Sequence, residues 1–416
     1  MSHRAHRRKA IASALILAPL AAGLTSCGDS SHPQSAEPYD AVDQVDMSAP
    51  DNSRTVDSSK PLVVTAKGED RISDVVAQDA SGRHLAGRLN RDGTRWHSTG
   101  PLAAGVSYTV RVSTETDGGA PGQRVLRFRT KPATEDRLKV SFGPKSGEYG
   151  VAQPLTAKLS QPVRNRQERR TVEQALKVES TPAVQGGWHW VDGKEVRFRP
   201  REYWPAHTKV TVRSTLDGVR VRHGLRGGES KPLSLTIGER VEATADAGSH
   251  QMLFKKNGKV IRKIPITTGK AGFRTRTGTK VVLEKQAFVR MRGTSVGIAE
   301  GSADSYDLPV HWATRLTWSG EYVHAAPWSV GSQGADNVSH GCTGMSTENA
   351  KWFFDHVRPG DPITHRNTEG EPMTGFDNGF GDWNVSWEKW KEGSALGDHG
   401  KSHRAPGASA RLQPEL

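Results

Sequence analysis

Between Pro61 and about Pro132, short runs alternate apolar and polar positions. Leu62-Val63-Val64-Thr65, Arg71–Val76, Tyr108–Val112 and Val125–Phe128 have the two-residue period and β-branched content of half-buried strands. A second block, from about 136 to 239, repeats the pattern in Leu138–Phe142, Glu195–Phe198, Lys209–Val212 and Leu233–Ile237, and a short helix is expected over Thr171–Val178, capped by Thr171 and Gln174. Trp188, Trp190 and Trp204 read as packing residues of this block. Beyond Glu239, Met252–Lys256 and Lys259–Ile266 flank Asn257-Gly258, a two-residue hairpin signal. Val281-Val282-Leu283, Phe288-Val289 and Glu321–His324 add strands. A helix is predicted over Thr347–His356, with Ser346 as N-cap and Pro359-Gly360 just past its end. Seven of the eleven tryptophans fall between Trp312 and Trp390, and Trp383, Trp387 and Trp390 are spaced for one face of a helix or a packed extension.

The fold class is therefore mainly β: two sandwiches of immunoglobulin type, then a β-rich unit with a short C-terminal extension. The expected division is 1–26 signal peptide, 27–60 disordered tether, 61–133 and 134–240 immunoglobulin-like domains 1 and 2, 241–366 catalytic unit, 367–394 Trp-rich extension and 395–416 flexible tail. The signal is read from Arg4, Arg7, Arg8 and Lys9 followed by the apolar run Ala10–Leu24. It ends in Leu24-Thr25-Ser26-Cys27, which resembles a bacterial lipobox and marks Cys27 for lipidation. The expected location is the outer face of the cell membrane, lipid-anchored and reaching into the wall.

The 416-residue chain has a net charge of +13, but its Lys and Arg residues are spread throughout, without zinc-finger spacing or an aromatic-basic RNA signature. A diffuse excess suits polyanionic wall polymers; no nucleic-acid partner is expected. There are two cysteines. Exported proteins of this size normally pair theirs. With Cys27 assigned to lipid, Cys342 has no partner, and a lone thiol in an oxidising compartment points to use as a nucleophile.

The segment Ser339-His340-Gly341-Cys342 follows a Gly- and Ser-rich loop after Glu321-Tyr322-Val323-His324. A cysteine transfers acyl groups as thiolate, so a histidine must take its proton. His340 and His324 are both candidates; His324, 18 residues upstream, is favoured because nucleophile and base usually meet across a fold. Gly341 permits close backbone approach, with N–H groups free to receive an oxyanion. No CxxC or HxxxH supplies further metal ligands, and neither metal nor cofactor is expected.

The run Val323-His324-Ala325-Ala326-Pro327-Trp328-Ser329, followed by Val338-Ser339-His340-Gly341-Cys342, closely resembles the active-site signature of the L,D-transpeptidase family, with its YkuD-like catalytic domain. The likeness extends through Ser305-Tyr306, Trp312-Ala313, Ser319-Gly320 and Trp352-Phe353 to the Trp383–Trp390 extension. The two β-rich blocks look like the tandem immunoglobulin-like domains of actinobacterial members. The resemblance implies that Cys342 attacks the carbonyl between the third and fourth residues of a tetrapeptide stem and expels D-alanine. His324 would be the base, oriented by the Ala325 carbonyl, with oxyanion N–H groups from His340, Gly341 and Cys342. Tyr306 and Met291 would lie on a lid over the donor pocket, with Ser319, Gly320, Trp328 and Ser339 contacting substrate. A neighbouring stem's amine would then take the acyl group, giving a 3→3 peptidoglycan cross-link, and carbapenems would acylate the same thiol. Two positions depart from the family pattern: Gly344 where Asn is common, and Val296 where a lid tyrosine is expected. A cysteine peptidase or amidase of the wall is the second enzyme reading, although such enzymes usually place the cysteine first or add a nearby arginine. The third is a wall-binding lipoprotein with an impaired catalytic unit, favoured only by Gly344.

Overall fold

The computed structural model describes residues 37–397. The expected signal segment, Cys27 and the tail from residue 398 lie outside the described residues. Three apolar cores succeed one another along the chain. The first is a sandwich. One sheet joins Tyr39–Asp40, Pro121–Thr130, Ser107–Glu115 and Arg71–Asp79, with Ser53–Val56 also on Pro121–Thr130; the other joins Val45–Met47, Val63–Ala66, Arg95–Ser98 and Gly87–Leu89. Val64, Trp96, Tyr108, Val110, Val112, Leu126 and Phe128 fill the space between them. This corrects the expected tether, because three of these strands lie before residue 60. Their composition reads as linker, but Ala41, Val45 and Ala49 are buried, and pairing with strands far along the chain satisfies the backbone.

The second core lies between the sheet Val140–Gly143, Leu155–Leu159, Glu195–Pro200, Gly186–Trp190 and the sheet Glu148–Tyr149, Leu233–Ile237, Lys209–Ser214, Leu176–Thr181. Trp188, Trp190 and Trp204 are buried in it. The expected helix over 171–178 is displaced: it runs Arg166–Ala175. The Asn165 side chain accepts the Glu168 N–H and donates to the Glu168 carboxylate, a reciprocal cap that fixes an earlier start. Leu176–Thr181 instead pairs along its whole length with Lys209–Ser214, so tertiary pairing overrides local preference there.

The third unit has two sheets. One orders Lys259–Pro265, Gln251–Lys256, Val241–Asp246, Pro362–Arg366 and Gly278–Val281; the other orders Glu284–Arg292, Asp307–Arg315, Tyr322–Ala325 and Thr343–Met345. Asn257 and Gly258 turn the first hairpin with φ of 51° and 79°, both left-handed, as the two-residue turn requires. The helix Thr347–His356 starts at Ser346, whose side chain accepts the Asn349 N–H, and it packs Ala350 and Phe353 into the core. No helix among the described residues is long and apolar enough to cross a membrane.

The C-terminal extension folds back on the second sandwich. Arg199, buried, lies over the rings of Trp383, Trp387 and Trp390. Arg197 reaches the buried Asp382 at 3.1 Å and the carbonyls of Phe376 and Gly379. Ala395, placed at the start of the expected flexible tail, is instead buried, and its N–H donates to Glu173.

Candidate active site

His324 sits in the strand Tyr322–Ala325, and Cys342 immediately precedes the parallel strand Thr343–Met345. The register pairs His324 with Gly344. Residues two apart share a sheet face, so Cys342 and His324 project on the same side. Neighbouring strands about 4.8 Å apart and a two-residue step of roughly 6.6 Å separate their backbones by about 8 Å. The loop that joins the strands therefore brings together residues 18 apart.

His324 is 6% exposed. Its Nδ1 lies 2.8 Å from the Ala325 carbonyl. A carbonyl only accepts, so Nδ1 carries the hydrogen and Nε2 keeps its lone pair. Burial holds the imidazole pKa below its ordinary value, outweighing the opposite effect of the Ala325 bond. Cys342 keeps some surface, but packing around its sulfur pushes the thiol up to about 12. Its Sγ–H donates to the Gly320 carbonyl at 3.5 Å. At rest Cys342 is thus a neutral thiol and His324 a neutral imidazole.

Gly341 has a φ of 115°, a left-handed value that favours glycine. Its N–H donates to Ser339 Oγ at 3.1 Å, and Ser339 Oγ–H donates to the Cys342 carbonyl at 2.6 Å. Ser339 is therefore engaged in shaping the nucleophile loop. Thr275 Oγ1 braces the same loop from below by donating to the Gly341 carbonyl at 2.8 Å.

Tyr306 ends the excursion between the strands Glu284–Arg292 and Asp307–Arg315. Its ring lies 5.2 Å from that of His340, which Phe273 meets from another side at 4.7 Å. Asp304 ties the excursion down through Lys270 Nζ at 2.6 Å and His340 Nε2 at 3.3 Å. Burial and the neighbouring Cys342 push the Tyr306 hydroxyl up to about 12. Met291 stands at the base of this excursion, paired with Leu308. Val296 lies in its turn Gly293–Val296, with a side chain outside the described residues. Trp328 is 54% exposed, its ring 6.0 Å from that of His324. Ser319 is clamped by Asn378: its N–H donates to Asn378 Oδ1 and Asn378 Nδ2 donates to its Oγ, both at 2.7 Å. Gly344 exchanges two backbone hydrogen bonds with Thr267. A Cβ there would approach Ala326 and Thr267 to 3.0 Å, so the neighbours of this glycine leave little room for a side chain.

Asn378, Asp304, Lys270 and Phe273 were not singled out by sequence. They are ordinary surface types in the chain, and only the fold brings them to the site.

A lone thiol and a carbonyl-held neutral imidazole on one sheet face define a cysteine acyltransferase. Residues 240–364 match the model of the L,D-transpeptidase catalytic domain, and residues 53–220 match that of a bacterial Ig domain. The chain is 33% identical to L,D-transpeptidase 2 of Mycobacterium tuberculosis, over 94% of this chain and 97% of that one. It is 31% identical to L,D-transpeptidase 5 of the same organism, over 82% and 76% respectively. Among solved structures, L,D-transpeptidase 3 from Mycobacterium tuberculosis in complex with a faropenem-derived adduct shares 32% identity, over 55% of this chain and 98% of that one, with a TM-score of 0.46. The chain belongs to the L,D-transpeptidase family, whose members form 3→3 peptidoglycan cross-links through a cysteine acyl-enzyme, and it is an enzyme of that type.

Proposed function

We propose that Cys342 is the nucleophile and His324 its base, and that the remaining site residues position a tetrapeptide donor stem. The observation that carries this reading is the 2.8 Å bond from His324 Nδ1 to the Ala325 carbonyl, which leaves Nε2 as the proton acceptor on the face shared with Cys342. Sγ attacks the carbonyl carbon between the third and fourth stem residues as its proton passes to His324 Nε2. The oxyanion that forms meets the N–H groups of His340 and Cys342, which donate to no protein acceptor among the described residues; that of Gly341 is engaged by Ser339. Collapse breaks the C–N bond, and His324 returns its proton to the departing D-alanine amine. The thioester is then attacked by the side-chain amine of a second stem, which loses a proton to His324; the C–S bond breaks, the amine keeps the acyl group, and His324 returns the proton to Cys342 Sγ. Tyr306 covers the donor, and Ser319, Gly320 and Trp328 line its channel. In this reading carbapenems acylate Cys342 by the same attack on a carbonyl.

Cys27 carries the lipid anchor in this reading, and the two sandwiches raise the catalytic unit into the wall. The reaction is tested by incubating the protein with a disaccharide-tetrapeptide and reading products by mass spectrometry, with Cys342→Ala alongside. Dimers lacking one D-alanine, absent with the variant, are expected. If folded wild-type protein yields no dimer and no tripeptide, the assignment is refuted. The spacer role fails if shortening the chain by one sandwich leaves cross-linking in cells unchanged.

A further inference from the structure

The mechanism leaves two buried charges unused. Lys280, in the strand Gly278–Val281, has no exposed surface, and Glu321, just before the strand of His324, is also buried. Lys280 Nζ lies 2.7 Å from Glu321 Oε2. Glu321 Oε1 accepts the Arg276 backbone N–H at 2.9 Å and faces its guanidinium at 3.3 Å. Burying an ion pair removes two hydration shells, and apolar side chains of the same volume usually serve folding as well. Stability alone does not explain the pair.

Its position does. Glu321 comes directly after Gly320, the residue whose carbonyl receives the Cys342 thiol hydrogen. Around it the turn is closed: Glu321 N–H donates to Thr317 Oγ1 at 2.9 Å, and its carbonyl accepts from Leu316 at 2.9 Å. With Glu321 Oε1 bonded to Arg276 and Oε2 facing Lys280, the peptide that carries the Gly320 carbonyl is held from both ends. Lys280 and Glu321 also act on the thiol directly and in opposite senses, Glu321 against ionisation and Lys280 for it. Of the other groups facing this centre, Arg276 carries a full positive charge paired with Glu321, and the rest add little. His365, bonded to Thr343 at 2.8 Å, is kept neutral by burial and by Lys280. Burial also keeps Tyr306 and Tyr322 protonated and His324 neutral. Arg276 is held by Glu321, and His340 faces Asp304.

We propose that the Lys280–Glu321 pair positions the nucleophile: Glu321 aims the Gly320 carbonyl that holds the thiol, and Lys280 supplies the positive charge that the thiolate meets when His324 removes its proton. Both are positioning residues, since neither touches substrate. The inference rests on Cys342 being the nucleophile.

The test is alkylation of full-length protein by iodoacetamide at pH 8, read on the Cys342 peptide by mass spectrometry. Lys280→Met slows it about ten-fold and Glu321→Gln speeds it about ten-fold, a tenfold change in thiolate fraction for each pKa unit. Loosened packing would speed both. Equal rates, or changes of the same sign, in variants with wild-type near-ultraviolet circular dichroism overturn the proposal. Should either single variant fail to fold, Lys280→Met combined with Glu321→Met removes both charges at similar volume. It is expected to alkylate within about three-fold of wild type, the two charge effects cancelling, yet to be acylated by a carbapenem about ten-fold more slowly. Wild-type acylation rates in that variant overturn the proposal. Alkylation needs no substrate, so if wild-type Cys342 takes no carbapenem the nucleophile assignment fails separately.

Discussion

The two sandwiches have the same architecture and different attachments. The first meets the second through slender contacts: Ala104 N–H donates to the Gly218 carbonyl, and Arg213 donates to that of Ser81 at 2.9 Å. The second is fused to the catalytic unit. Gly150 and Ala152 donate to the carbonyls of Pro359 and Gly360, and Arg358 pairs with Glu148. The aromatic extension closes over the far side, with Trp383 donating to Ala152 and Trp390 to Gly187. A repeated fold can thus be lightly joined in one copy and form a wall of the catalytic body in the next.

Arg197→Ala should break this contrast most sharply. It strands the buried Asp382 carboxylate and should cost about 3–5 kcal/mol in denaturant unfolding. Asp361, fully buried at the joint between the second sandwich and the catalytic unit, comes next. Burial raises its carboxyl pKa to about 7, despite Arg358. The folded protein therefore holds a proton that the unfolded chain has released, and this residue's contribution to stability falls as pH rises from about 3.8 to 7. Asp361→Asn keeps an acceptor for the Arg358 N–H without ionising. It should raise stability by roughly 1–3 kcal/mol at pH 8 and by less at pH 5 in paired thermal melts. Asn378→Ala frees Ser319 and should lower kcat/KM for donor acylation about two- to ten-fold, with little change in the melting temperature. Arg213→Ala, at the slender joint, should change stability by less than about 0.5 kcal/mol and leave carbapenem acylation unchanged. A large effect there would erase the distinction between the joints.

The parts legible in sequence were those governed by local chemistry. The helix Thr347–His356 has its own cap and stop, the Asn257-Gly258 turn needs left-handed backbone, and the lone Cys342 stands in a distinctive loop. What sequence concealed depends on distant partners. The strands before residue 60 resemble linker because they bring few apolar anchors and pair with strands far along the chain. Asn165 and Glu168 capped an earlier helix than Thr171 suggested. Nothing local singles out Lys280, and only Glu321, 41 residues further on, makes it a paired interior charge.

The Asn378 clamp on Ser319 also orders events in time. A ribosome finishes His324 and Cys342 before it makes Asn378, yet Ser319 is held by that later residue. A chain interrupted after residue 366 would contain the nucleophile and its base without the clamp that shapes the channel. A protease that clips the chain just before Asn378 would therefore remove the hold on Ser319 while leaving Cys342 and His324 in the chain.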